Sequence, residues 1–430
     1  MHSSGKLALA LFFLFATTSF AQTDSDVLLK MTATRLEDFF TQFQKSDEKW
    51  FTEEFLSQVS FDKLTGVIQE NSKLLGEIER IRICRIHSPG IAEYELISKS
   101  GRRLRAFVQV ELTQPHRLNI LRFDKIDLGE DSWDKLQVDI QRLPGDHAAS
   151  VWKIAPTRTR LFSRNSNEPL AVGSSFKLLV LSLLCDEITS GKRKWSDTFP
   201  LKENLRSLPS GILQDWPVGS PVTLHTLATL MVSRSDNTAA DHIMHILGRE
   251  KLEKHQQEVQ VHFPERNRPF LRTGELFKIK LVLPAFQTSA YAHRSEEEKR
   301  KFLSEAERVE LKNPRVYSAP VSNDIIEWFF TTDDLCRIME RLQKPTLQNE
   351  ALPLLSITKP FDIDDHSWEQ LAFKGGAELG VLNLTLLGKL RRKDEWYTLS
   401  FTWNRYDQPL NEQVWINLVG RALRLLEKNR

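Results

Sequence analysis

The chain has 430 residues, of which 40% are hydrophobic, and this length predicts two folded domains rather than one. Its 59 lysine and arginine residues nearly match its 57 aspartate and glutamate residues, and the formal charge is +2. A balance so close to neutral argues against nucleic-acid binding. The cysteines and the eleven histidines show no metal-ligand spacing, so the sequence predicts no metal and no other cofactor.

Residues 1–21 have the pattern of an export signal. Lys6 gives a basic start, residues 7–15 form an apolar core, and residues 19–21 read as a small-x-small cleavage site. The apolar run is too short to span a bilayer, and no later segment is apolar enough to do so. The sequence therefore predicts a periplasmic or secreted protein that begins at Gln22 and has no membrane span.

Residues 22–145 predict a small α+β domain. Two runs with helical periodicity precede four runs with an alternating pattern. These runs are 27–43 and 55–71, then 81–86, 91–98, 103–111 and 118–123. Two helices followed by a four-stranded meander resemble the NTF2-like or ketosteroid-isomerase fold. No pair of carboxylates in an apolar setting accompanies them, so a supporting role is favoured over a second catalytic centre.

Pro144-Gly145 interrupts the pattern and predicts the boundary to a second domain, residues 146–430. That domain contains Ser174-Ser175-Phe176-Lys177 ahead of an apolar helix. A serine in the first helical turn places its hydroxyl near free N–H groups and the positive end of the helix dipole. Lysine three residues later shares its helix face. Ser174 is the predicted nucleophile and Lys177 the predicted base.

Two further tripeptides complete the pattern. Ser235-Asp236-Asn237 follows a helical run, where a simple helix cap is the structural alternative. Lys374-Gly375-Gly376 precedes two predicted strands, 381–390 and 396–403, where a plain hairpin is the alternative. The three motifs together are typical of a serine acyl-transfer site.

The motifs resemble those of the class A β-lactamases, within the penicillin-recognising serine enzymes, from about residue 149 to residue 426. The resemblance implies an α/β/α, transpeptidase-like domain with an antiparallel sheet. It also implies that Ser235 relays a proton with help from Lys374, and that Asn237 orients Lys177 or the substrate. The backbone N–H groups of Ser174 and Ala377 would form the oxyanion hole, with Gly375 and Gly376 in the substrate-binding wall.

The pairing of this domain with an NTF2-like domain resembles the two-domain β-lactamase-fold proteins of the clavulanic acid biosynthesis type. Three further stretches carry that resemblance, at residues 208–224, 269–277 and 326–342. The chain departs from the general pattern at two places in the third motif. Gly375 replaces the usual hydroxyl residue, and Ala377 also lacks a hydroxyl that could hold a substrate carboxylate.

A third departure concerns deacylation. The class A family uses a glutamate in a Glu-x-x-Leu-Asn setting to activate water, and this chain contains no such segment. Glu265, within residues 264–267, is the nearest candidate, although a solvated loop charge is the favoured interpretation. The insertion at residues 291–312 predicts a charged helix, either packed on the domain or acting as a lid.

The sequence therefore predicts an exported active-site serine hydrolase that acylates Ser174 with a β-lactam or a small ester or amide, with weak β-lactamase activity. The alternatives are a true β-lactamase with a substituted deacylation base, and a sensor that binds β-lactams or peptidoglycan fragments covalently. Its expected partner is a small acyl compound, and the oligomeric state stays open.

Overall fold

A computed structural model describes residues 20–41, 47–99, 101–124, 126–127, 131–307, 309, 315–358, 367–391 and 394–428. Apart from Phe20 and Ala21, the predicted signal peptide lies outside these residues. The chain divides into two compact units, residues 1–130 and 131–430. Within the described ranges, no helix is both long enough and apolar enough to cross a membrane.

The first unit combines helices with an antiparallel sheet. Its helices are α1 Phe20–Thr41, α2 Glu53–Gln58 and α3 Phe61–Leu75. Its strands, in the order β1-β2-β3-β4, are β1 Ile78–Ser88, β2 Ile91–Ser98, β3 Arg103–Val110 and β4 Leu118–Phe123. Strand β3 has the alternation predicted from the sequence, because Leu104, Ala106, Val108 and Val110 are all buried. They pack with Leu36 of α1 and Ile68 of α3.

The second unit is built on a five-stranded antiparallel sheet in the order β11-β12-β13-β5-β6. The strands are β5 Asp146–Ala155, β6 Thr159–Arg164, β11 Trp368–Glu378, β12 Val381–Leu390 and β13 Glu395–Asn404. Strands β12 and β13 are the predicted hairpin. Strand β11 is an edge strand, so part of its backbone N–H and C=O groups is left without a strand partner.

Four shorter strands pair outside this sheet. They are β7 Leu170–Ala171 with β10 Phe329–Phe330, and β8 Thr198–Pro200 with β9 Pro221–Thr223. The first pair ties the segment just before Ser174 to the segment around Trp328, because Val172 N also donates to Trp328 O at 3.0 Å. This pairing therefore positions residues 170–172, which lead into the Ser174-Ser175-Phe176-Lys177 motif.

Helices cover both faces of the large sheet. On one face, α4 Trp133–Gln141 and α14 Glu412–Lys428 contribute to an apolar cluster with the sheet. A second, larger apolar cluster is formed mainly by the helices that lie between β7 and β11 in the sequence. Those helices are α5 Lys177–Thr189, α6 Leu224–Ser233, α7 Asn237–Leu247, α8 Arg249–Glu258, α9 Thr273–Phe277, α10 Ala285–Ala292, α11 Glu296–Ala306, α12 Thr332–Gln343 and α13 Gln348–Leu355. The predicted combination of helices with an antiparallel sheet is confirmed.

Along the sequence, the boundary between the two units falls between residues 130 and 131. The sequence patterns predict it between residues 145 and 146. The difference comes from α4, which the sequence patterns did not predict. Its apolar residues Leu136 and Ile140 are fully buried in the cluster that contains Trp415 of α14. Arg421 of α14 also donates to both Asp131 and Asp139. Helix α4 therefore belongs to the second unit by its packing.

The charged insertion forms helix α11, as its periodicity predicts. Phe302, Leu303 and Ala306 are buried in the large central cluster of the second unit. The opposite face is charged and exposed, which is the arrangement of a solvated helix packed on the domain. None of the residues of α11 lines the cavity described below.

Candidate active site

The chain reaches Ser174 through a tight backbone approach. Residues Gly173–Phe176 form a 3₁₀ turn that leads directly into α5. Gly173 has a φ of +50°, a conformation that favours glycine. A side chain there would also lie only 3.1 Å from Ala377 N. Ser174 thus lies at a helix entry that is held against strand β11.

Gly376 is required by the same approach. A Cβ atom on Gly376 would lie 2.1 Å from Val172 O and 2.5 Å from Ser174 N, distances that no side chain can occupy. The sequence analysis places Gly376 in the substrate-binding wall, and Gly376 does line the cavity described below. It also leaves room for the turn that carries Ser174.

Lys177 lies beneath the serine and is completely buried. Its ammonium donates to Asn237 Oδ1 at 2.6 Å, to Ser235 O at 2.6 Å and to Ser235 Oγ at 3.4 Å. Burial, and next the charge of Lys374, hold the pKa of Lys177 well below its usual value. Within the described part of the chain, the hydrogen bonds of Lys177 go to the second motif and none goes to Ser174.

The second motif is held in a strained and well-anchored conformation. Ser235 has a φ of +54°, which is unusual for a residue with a side chain. The carboxylate of Asp236 accepts from Ile212 N at 2.7 Å and from Leu213 N at 3.0 Å, and it caps α7 through Ala239 N at 2.8 Å. The helix-cap interpretation therefore describes Asp236, while the neighbouring side chains face Lys177.

Asn237 bridges the second motif to a neighbouring loop. Its Nδ2 donates to Leu208 O at 2.8 Å, and its Oδ1 accepts from Lys177. The loop after Leu208 contributes Pro209 and Ser210 to the cavity wall. Trp216, at 38% exposure, lies near the end of this loop and does not line the cavity.

Lys374 of β11 completes the group of polar side chains. Its Nζ donates to Ser235 Oγ at 3.0 Å, so Ser235 contacts both lysines. Burial lowers the pKa of Lys374 to about 7. The two buried lysines, both with lowered pKa values, and one serine hydroxyl form a chain of groups that can pass protons.

One cavity of about 800 Å³ brings these motifs together. Its lining includes Ser174, Ser235, Asn237, Lys374, Gly375, Gly376 and Ala377. Much of its wall is apolar, with Val232, Phe277, Leu281, Val316 and Val321. A cavity of this size and mixed lining suits a small organic ligand.

Glu265 is not part of this arrangement. It lies in the exposed 3₁₀ turn Pro264–Asn267 and does not line the cavity. The neighbouring Arg266 donates to Pro169 O and Asp324 O, which anchors the turn elsewhere on the unit. The structure thus brings together all the predicted site residues except Glu265, with Lys177 just below the cavity wall.

The sequence interpretation missed a charged cluster on the cavity wall. Lys280 Nζ donates to Asn323 Oδ1 at 2.8 Å, to Glu327 Oε1 at 3.3 Å and to the carboxylate of Glu378. Lys280, Asn323 and Glu378 line the cavity, and Glu327 is buried behind them. The only sequence signal was the position of Glu378, two residues beyond Gly376 on a strand, which places it on the same face.

Buried Asp241 ties α7, the helix that follows the second motif, to the start of α9. Its carboxylate accepts from Thr273 N at 2.6 Å and Gly274 N at 2.8 Å. Burial raises its pKa to about 6, although these hydrogen bonds oppose the shift.

Among the described residues, no group of three or more histidine, cysteine, aspartate or glutamate side chains could hold a metal ion.

Comparison with known proteins gives the wider context of this site. Residues 134–355 match the Beta-lactamase enzyme family. Similar solved structures include PBP-A, which is 14% identical over 69% of this chain and 96% of its own, with a TM-score of 0.49. A β-lactamase from Sphaerobacter thermophilus is 16% identical over 69% and 96%, with a TM-score of 0.48. A β-lactamase from Francisella tularensis is 14% identical over 69% and 99%, with a TM-score of 0.47.

No curated protein sequence matches the chain significantly. The family match spans α4 to α13, and so includes the first two motifs. The family match supports a serine hydrolase of the β-lactamase kind. The chain belongs to the Beta-lactamase enzyme family.

Proposed function

We propose that this protein is an active-site serine hydrolase that forms an acyl-enzyme on Ser174 with a β-lactam or a small ester or amide. One observation carries the proposal. Ser174, Ser235 and Lys374 line a single cavity, and Lys177 lies beneath them with its pKa lowered by burial and by the charge of Lys374. A lysine with a lowered pKa is more readily present in its neutral form, which can act as a general base.

Acylation begins when neutral Lys177 accepts the proton of Ser174 Oγ. The oxygen attacks the carbonyl carbon of the substrate, and the N–H groups of Ser174 and Ala377 stabilise the negative charge on the carbonyl oxygen. Lys177 then returns the proton through Ser235 Oγ to the leaving group, assisted by Lys374. The bond to the leaving group breaks, which leaves the acyl group on Ser174 and Lys177 neutral again.

Arg234 is our candidate for binding the carboxylate of a substrate. Gly375 and Ala377 offer no hydroxyl group for that purpose. Arg234 lines the cavity next to Ser235 and is exposed. Arg315 also lines the cavity, but its guanidinium donates to backbone carbonyls, including Leu281 O. Arg234→Gln should therefore raise the concentration of a carboxylate-bearing β-lactam needed for half-maximal acylation rate, with no matching effect on a neutral ester.

The acylation proposal is tested by intact-protein mass after mixing with a penicillin, a cephalosporin and an activated ester. The expected result is a mass increase equal to the acyl group, absent from Ser174→Ala, which removes only an oxygen from a cavity wall. A transient adduct supports the hydrolase. A permanent adduct supports the covalent sensor, and no adduct with any of the three compounds contradicts both.

We also propose that the chain is exported after removal of residues 1–21, and that its first unit is an NTF2-like domain with a supporting role. The basic and apolar pattern of residues 1–21 supports export, and the helices and antiparallel sheet of residues 20–127 support the second proposal. The N-terminal sequence of the protein from the periplasm or medium tests the first. A mature chain that retains Met1 contradicts it.

A further inference from the structure

A charged cluster occupies the cavity wall next to the third motif. Lys280, in the helical turn Lys278–Val282, is 2% exposed, and Glu327 is 4% exposed. Lys280 holds both Glu327 and Glu378, the last residue of β11. Burying a charged side chain costs free energy unless the charge is paired. The paired charges of the cluster are therefore an integral part of the folded cavity wall.

Strand geometry places Glu378 on the side of the nucleophile. Successive side chains on a strand point to opposite faces, so Lys374, Gly376 and Glu378 share one face of β11. Lys374 contacts Ser235 on that face, and Gly376 packs against Ser174 N. The Cα atom of Glu378 follows that of Gly376 by about 7 Å along the strand.

The two buried members of the cluster both have raised pKa values. Burial, and then the neighbouring Glu378, raise the pKa of Glu327 to about 8, so Glu327 keeps its proton at neutral pH. Burial alone would lower the pKa of Lys280, but its contacts with Glu378 and Glu327 outweigh burial and raise the pKa. The cluster therefore holds an ammonium and a protonated Glu327, and Lys280 fixes the side chain of Glu378 at the cavity wall.

We propose that Glu378 is the general base that activates water to hydrolyse the acyl-enzyme. This inference rests on the proposed acylation of Ser174. Glu378 would take the place of the glutamate that the chain lacks in a Glu-x-x-Leu-Asn setting, with Lys280 fixing its position. Of the described carboxylates, only Glu378 and Glu412 line the cavity, and Glu412 is exposed at the start of α14.

The reaction adds one water across the acyl bond. Glu378 accepts a proton from water as the water oxygen attacks the acyl carbon. The bond between that carbon and Ser174 Oγ then breaks, and the proton on Glu378 returns to Ser174 Oγ through solvent. The product is the free acid, and both Ser174 and Glu378 regain their starting protonation states.

The test compares the full chain with Glu378→Gln, using benzylpenicillin and p-nitrophenyl acetate as probes. Excess probe is removed by rapid gel filtration, and the acyl-enzyme is followed by intact mass. Glu378→Gln should lengthen the lifetime of the adduct at least about 100-fold, the usual range for a lost general base, while the acylation rate stays within about threefold. Glu412→Gln, which replaces the other carboxylate that lines the cavity, is the control and should lengthen the adduct lifetime far less than Glu378→Gln does.

Glu378→Asp provides a second variant that keeps the charge and the partner Lys280. Its side chain is one methylene group shorter. The lifetime of its acyl-enzyme should therefore lie between that of the wild type and that of Glu378→Gln. Equal lifetimes in the wild type and Glu378→Gln overturn the inference, as does a wild-type adduct that is never released. Loss of acylation in Glu378→Gln also overturns it, because the residue would then support the fold or the first step. No adduct on the wild type would instead refute the acylation proposal itself.

Discussion

Two buried lysines in the second unit have opposite electrostatic surroundings. Lys177 is held by the uncharged oxygens of Ser235 and Asn237, and burial together with the charge of Lys374 lowers its pKa. Lys280 is as deeply buried, yet Glu378 and Glu327 contact its ammonium and raise its pKa.

The comparison shows that burial alone does not decide what a lysine can do. A buried lysine with neutral acceptors gives up its proton easily, because the charged form lacks a compensating charge. A buried lysine with two carboxylates keeps its proton and positions them. Lys177 therefore suits proton transfer, and Lys280 suits a fixed structural charge.

Replacing Lys177 should have the largest effect on chemistry. We expect Lys177→Met to slow acylation of Ser174 about 10²- to 10⁴-fold, because the general base is lost. The free energy of unfolding should fall by only about 1–3 kcal/mol, because Asn237 Oδ1 loses its donor but no carboxylate loses its partner. Burst kinetics with an activated ester and urea denaturation measure the two quantities. Acylation within tenfold of the wild type would show that Lys177 is not the base.

Replacing Lys280 should affect the fold first. Lys280→Met leaves Glu327 and Glu378 without their cation, and breaking a buried pair in this way costs about 3–5 kcal/mol. The free energy of unfolding, measured in urea, should fall by that amount. Lys251→Met is the control, because Lys251 is mostly exposed and its partner Glu187 also binds Arg193. The control should cost less than about 1 kcal/mol, and equal losses would remove the distinction between the two lysines.

The same contrast explains what the sequence could predict. Residues at short spacing on one helix, such as Ser174 and Lys177, have a relative position that the helix itself fixes. In the structure Ser174 lines the cavity, and Lys177 contacts Ser235 and Asn237, which also line it. Lys280 and Glu327 lie far apart along the chain, on either side of the predicted insertion, and neither has a local pattern. Their contact depends on how the turn that contains Lys280 and the segment that contains Glu327 pack beside β11, which no periodicity specifies.

The domain boundary differs for a related reason. Pro144-Gly145 marks a real turn, since Gly145 has a φ of +88°. A turn does not tell to which core the preceding residues belong. Leu136 and Ile140 pack with Trp415, which lies near the far end of the sequence. Only the packing of α14 on α4 decides the assignment.

The rate of acylation should depend on pH through Lys177. Because neutral Lys177 is the reactive form, the rate should rise from acid pH and level off well below pH 10.5, its ordinary pKa. Removing the nearby charge with Lys374→Met should move this rise to higher pH, since that charge helps to lower the pKa of Lys177. Burst rates from pH 5 to 9 for both proteins measure the shift. A rise that moves to lower pH, or does not move, would show that the two lysines are not coupled.

A further effect concerns the pH dependence of stability, through the proton on Glu327. Its pKa is about 8 in the folded protein and 4.5 ordinarily, so between these values the unfolded chain releases a proton that the folded chain retains. The stability of the wild type therefore falls as pH rises through this window, by at most about 1.4 kcal/mol per pH unit from this group.

Glu327→Gln removes that dependence, because an amide cannot ionise but still donates and accepts hydrogen bonds toward Glu378 and Lys280. Compared with the wild type, the variant should gain free energy of unfolding between pH 5 and pH 8 in urea titrations. Glu412→Gln, at an exposed position, should show no such trend with pH. A Glu327→Gln difference that stays constant across this range would mean that Glu327 is ionised in the folded protein. The negative charge would then be shared by both carboxylates, and Lys280 would be neutralising two charges instead of positioning one base.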